Sequence, residues 1–119
     1  MQNAPNFIEQ GQIKLHNVNP LPIQLKKARK ALGLTQLELG VRIGLDPGNA
    51  SARMNQYESG KHAPDYKMLK KIAEELCVPV PFLLCEDELL GDLILELSKL
   101  SDEEKVIILK GIKANSHLA

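Results

Sequence analysis

The stretch that decides the fold runs from Thr35 to Gly60 and reads TQLELGVRIGLDPGNASARMNQYESG. Thr35 is of the type that caps helix N-termini, and Leu37, Val41 and Leu45, joined by Leu39 and Ile43, recur at helical spacing behind it. Together they predict a helix over residues 36–43. Gly44 ends that helix, because glycine takes a left-handed φ without the steric cost other residues meet. Asp46-Pro47 reads as a second start, cap followed by first helical residue, with Asn49 as a rival cap. The second helix runs to Tyr57 or Glu58, and Gly60 stops it. Two short helices about a glycine-bearing turn make a helix-turn-helix.

A 100° wheel sorts the second helix. Ala50, Met54 and Tyr57 fall on one side and are fit for a core. Asn49, Ala52, Arg53 and Gln56 fall opposite, flanked by Ser51 and Asn55. Those outer residues are types that read base edges in a DNA major groove: Arg for guanine, Asn or Gln for adenine, a small apolar group for a thymine methyl. Taken alone, the same face could be an ordinary solvated one.

Flanking segments extend the helical pattern. Pro22 opens a first helix whose apolar stripe is Ile23, Leu25, Ala28 and Leu32, and Gly33 closes it. Gly40 lets the two helices of the motif cross closely. Asp65 caps a helix over Tyr66–Leu76 with Leu69, Ile72, Ala73 and Leu76 inward, and a short fifth helix spans Pro81 to about Leu84.

In this order and spacing, the chain resembles the phage-repressor, Cro-type (XRE-like) helix-turn-helix family. The matching residues are Thr35-Gln36-x-Glu38-Leu39-Gly40, Gly44 and Gln56-Tyr57-Glu58-Ser59-Gly60-Lys61. Upstream, Leu25-Lys26-Lys27-Ala28-Arg29 joins them, and downstream the Leu69, Ile72, Ala73, Leu76, Val78 and Phe82-Leu83-Leu84 pattern. The resemblance covers roughly residues 21–85 and implies an all-α, five-helix lambda-repressor-like DNA-binding domain. It also implies an ion pair between Arg29 and Glu58, and base reading by Asn49, Ser51, Ala52, Arg53, Asn55 and Gln56. The family usually has about four fewer residues between the glycine and the Tyr-Glu pair. Asp46-Pro47-Gly48-Asn49 looks like the extra piece.

Formal net charge is zero, yet the charges are segregated. Between Leu21 and Lys71 ten cations stand against four anions, an excess of six that the remainder of the chain offsets. A basic region beside an acidic one suits a polyanion on one side only. Lys26, Lys27, Arg42 and Lys61 are the candidates for DNA phosphates, with Gln36, whose amides open a helix, as a fifth.

Past an acidic hinge, Glu86-Asp87-Glu88, the chain continues as a helical extension over residues 87–119. Leu89, Leu90, Leu93, Ile94, Leu97 and Leu100 form one apolar stripe. Ser101-Asp102-Glu103-Glu104 is a capping box opening a last helix with Val106, Ile107, Ile108, Leu109 and Ile112. Such a hairpin buries its apolar face on its own domain or on a second subunit, and the family's habit of binding two-fold sites favours a homodimer.

The rest is exclusion. Aromatic residues make up 3% of the chain, so the core must be aliphatic. No apolar run approaches the roughly 20 residues of a membrane span. The opening MQNAPNFIEQ lacks the layout of a signal peptide, which points to the cytoplasm. No phosphate loop, nucleophile elbow or paired metal ligands occur, so neither an enzyme nor a cofactor or metal site is expected. Cys77 and Cys85 read as reduced thiols, with Cys77 in a small core position. Residues 1–20 form an arm, either disordered or a short strand about Ile13, Leu15 and Asn17. The expected function is a sequence-specific, double-stranded-DNA-binding transcriptional regulator, a dimeric repressor. The alternatives are the antitoxin of a toxin–antitoxin pair and a helix-turn-helix interaction module that does not bind DNA.

Overall fold

The computed structural model describes residues 19–116. These form seven helices and no strand: α1 (Leu21–Ala31), α2 (Gln36–Arg42), α3 (Pro47–Ser59), α4 (Tyr66–Leu76), α5 (Val80–Leu83), α6 (Glu88–Ser98) and α7 (Asp102–Ala114). The strand considered near Ile13 lies outside the described residues.

Side-chain chemistry sets most of the starts. The Thr35 hydroxyl accepts from the Glu38 N–H while the Glu38 carboxylate accepts from the Thr35 N–H, a capping box. Asp46 caps α3 through the Gly48 N–H, and Asp65 caps α4 through the Met68 N–H. Ser101 and Glu104 repeat the capping box at α7. Among the stops, Gly44 sits at φ +94° and lets the Leu45 N–H reach back to the Gly40 carbonyl at 2.9 Å.

One core joins the first five helices. Each contributes one of the largest fully buried side chains: Leu25, Leu39, Met54, Ile72 and Leu83. α6 leans on α5 through buried Gly91, with Ile94 and Leu95 half-buried against the same core. α7 buries none of its residues.

Three expectations about the core are corrected. Leu37 and Val41 are 45% and 44% exposed, whereas Leu39 and Ile43 are buried. Apolar residues at every second position cannot share one helical face, since two residues turn about 200°. The 39/43 pair faces the common core and the 37/41 pair faces out. Ile23 and Leu32 are likewise exposed, because α1 turns Leu21, Leu25 and Ala28 inward and Leu32 lies past its end. Cys77 is exposed, not a core residue. It occupies the left-handed position after α4 at φ 59°, where its neighbour Val78 donates to the Ala73 carbonyl.

Candidate nucleic-acid interface

The candidate interface is the outward side of α3, and its placement depends on three contacts. The first is the α2–α3 crossing. A Cβ on Gly40 would lie 2.7 Å from the Ala50 Cβ and 2.9 Å from its carbonyl oxygen, so the two backbones meet where only glycine fits. The second is the Arg29–Glu58 pair, which ties the last turn of α1 to the last turn of α3 at 2.6 Å. The hydrogen bond to Glu58 holds the Arg29 guanidinium above its ordinary pKa despite the opposing effect of burial. The third is Gln36 at the start of α2. Its Nε2 donates to Glu58 Oε1 at 3.2 Å and to Asn55 Oδ1 at 3.4 Å.

These contacts hold α3 with one buried and one open side. Ala50, Met54 and Tyr57 are buried. Asn49, Ser51, Ala52, Arg53 and Asn55 are exposed and Gln56 is half-buried. Of the segment Asp46-Pro47-Gly48-Asn49, Asp46 caps α3 and the other three residues form its first turn. Ala50 and Met54 are four residues apart, a turn of about 400° and only about 40° past a full circle, so both face the core and the outer set lies opposite.

Of the residues chosen for phosphate, Lys26 and Lys27 are exposed on α1, Arg42 is exposed at the end of α2, and Lys61 is exposed just past Gly60. Gln36 is half-buried, with its side-chain amide engaged by Glu58 and Asn55. That link, which makes Asn55 part of the α2–α3 junction, was not foreseen. It joins residues 19 and 22 positions apart, and no local pattern carries it. Buried Gln24 on α1, beside Gly91, was not foreseen either. Among the described residues no group of His, Cys, Asp and Glu could hold a metal ion, and no helix is long and apolar enough to cross a membrane.

A five-helix core that presents the open side of its third helix defines a helix-turn-helix domain. Comparison with known proteins gives the same class. The helix-turn-helix family model matches residues 25–83. The chain is 39% identical over 78 residues to vegetative-specific protein H7 of Dictyostelium discoideum, spanning 64% of this chain and 71% of that protein. The crystal structure of the transcriptional regulator BswR is 39% identical with a TM-score of 0.74, covering 79% of this chain and 93% of that one. The chain belongs to the Cro/C1-type, XRE-like helix-turn-helix family, a class of DNA-binding regulators rather than enzymes.

Proposed function

We propose that this protein is a sequence-specific repressor that binds a two-fold operator in double-stranded DNA as a homodimer. The observation that carries this reading is the open side of α3, which holds side chains of the types that read base edges and is fixed to α1 and α2 by Arg29–Glu58 and Gly40–Ala50. Asn49, Ser51, Ala52, Arg53, Asn55 and Gln56 face base edges in the major groove. Lys26, Lys27, Arg42, Lys61 and Gln36 take the flanking phosphates. α6 and α7 join the two subunits. An occupied operator excludes other proteins, so the simplest outcome is repression, exercised in the cytoplasm.

Selection of bound sites from random duplexes tests the reading. The expected product is a pair of inverted half-sites about one helical turn apart, the spacing two major-groove helices require. Each neutralised phosphate should steepen the slope of log K against log salt by about 0.9. Unselected sequences with a flat salt dependence would instead mark an interaction module.

A further inference from the structure

We propose that α7 lies at the centre of the subunit interface, antiparallel to α7 of a second copy, with the acidic end of each helix against the basic end of the other. The inference rests on the homodimer reading above and specifies its geometry.

The first observation is that α7 carries five large apolar residues and buries none of them. Val106, Ile107, Ile108, Leu109 and Ile112 range from 37% to 69% exposed. At 100° per residue the apolar residues of 106–112 spread over more than one face, and an apolar stretch of that kind is ordinarily covered on more than one side. A single exposed stripe would call for one neighbour, whereas α7 calls for cover on more than one side. α6 can supply part of it. Its Gly91, Ile94 and Leu95 face its own domain, while Leu89, Leu90 and Leu93 remain 49% to 64% exposed. A second copy of the α6–α7 hairpin offers the same surfaces again.

The second observation is the charge order along α7. Asp102, Glu103, Glu104 and Lys105 open it with a net charge of −2, and Lys105 lies 3.8 Å from Asp102. Lys110 and Lys113 close it with +2. Between them the helix carries no charge. Parallel pairing of two copies would oppose like charges at both ends. Antiparallel pairing about an axis near Ile108 opposes unlike charges at both ends and opposes the helix dipoles as well. A helix whose two ends complement each other under a two-fold rotation needs no partner of different chemistry.

The experiment uses the full chain, with sedimentation to read association and disulfide trapping to read geometry. Asp102→Lys/Glu103→Lys leaves the Ser101–Glu104 box intact, and Lys110→Glu/Lys113→Glu reverses the other end. Each double variant should weaken self-association by about tenfold or more, through like-charge contact. Combining all four changes in one chain should restore it. In a Cys77→Ser/Cys85→Ser background, Glu103→Cys mixed with Lys113→Cys should give a trapped dimer, and Glu103→Cys alone should not. Circular dichroism checks that each variant keeps its helices. Trapping of Glu103→Cys with itself, or a dimer indifferent to all charge changes, overturns the antiparallel geometry and leaves the homodimer reading standing. A wild-type chain that stays monomeric both alone and on operator DNA overturns both.

Discussion

The Arg29 guanidinium meets the Glu58 carboxylate side-on, with Nε on Oε2 at 2.6 Å and Nη2 on Oε1 at 3.0 Å, while its Nη1 donates to the Leu34 carbonyl at 2.7 Å. Only 9% and 3% of the two side chains are accessible. One arginine thus joins α1, the α1–α2 connection and the end of α3. Removing either partner leaves the other charged and enclosed without a counter-charge, so Arg29→Ala and Glu58→Ala should each cost about 3–5 kcal/mol in urea unfolding. Replacing both, as Arg29→Met/Glu58→Leu, should cost much less than the sum, because no lone charge remains. Additive losses would show that the pair does not act as a unit.

Two glycines should respond to alanine in opposite directions. Both sit inside helices, where alanine is worth about 1 kcal/mol over glycine. At Gly40 the new methyl would meet Ala50 at 2.7 Å, and the next contacts, at 2.9 and 3.1 Å, are backbone atoms that move only if α3 moves. Overpacking of this kind costs about 1–3 kcal/mol, so Gly40→Ala should lower the urea midpoint. At Gly91 the nearest atom, Gln24 Nε2, is 3.7 Å away, an ordinary contact. Gly91→Ala should raise the midpoint by the propensity gain.

The start of α2 should be acid-sensitive. The Thr35 backbone N–H, donated to Glu38 Oε1 at 2.8 Å, holds the Glu38 carboxyl below its ordinary range, with the Thr35 hydroxyl adding to the effect. A carboxyl whose folded pKa is depressed contributes stability that is present above its unfolded value. That stability is lost as pH falls through the folded one. Glu38→Gln keeps an acceptor oxygen but cannot titrate. It should be less stable than the parent near neutrality, and the gap should close as the solution is acidified below the ordinary carboxylate range. Urea midpoints measured across that window decide it, and a constant gap would assign the effect to something other than Glu38.

Local chemistry was the most legible part of the sequence. Thr35, Asp46, Asp65 and Ser101 each cap the helix their positions announced, because a cap is made within three residues. Which apolar residues face inward was less legible. The alternation of Leu37, Leu39, Val41 and Ile43 contains two opposite helical faces, and only the packing of the other helices selects 39 and 43. Cys77 was misread because burial was inferred from residue type, whereas the turn after α4 places it in a left-handed, exposed position. At the candidate interface the two sides of α3 were readable from its wheel. The Gln36 bridge to Glu58 and Asn55 was not, since it exists only once α2 and α3 have crossed.

Reading and anchoring on DNA should separate by residue. Arg53 is exposed on the open side of α3, and Gln56 lies one helical turn further on, half-buried. A good bidentate base contact discriminates against a wrong base by about 1–3 kcal/mol. Arg53→Ala and Gln56→Ala should therefore each relax base preference at one or two positions of a half-site while non-specific affinity changes less. Lys27 is exposed on α1, away from α3 in the sequence. Lys27→Ala should weaken all sequences alike and lower the salt slope by about 1. Asn55 is the informative intermediate, because its Oδ1 is held by Gln36. If Asn55 reads a base through its amide nitrogen, Gln36→Ala should alter preference at the same position as Asn55→Ala. If Gln36 serves only phosphate, its loss should resemble that of Lys27. Site selection on the five variants, each compared with a non-specific duplex at several salt concentrations, distinguishes these outcomes. Wild-type preferences for both Arg53→Ala and Gln56→Ala would remove α3 as the sequence reader.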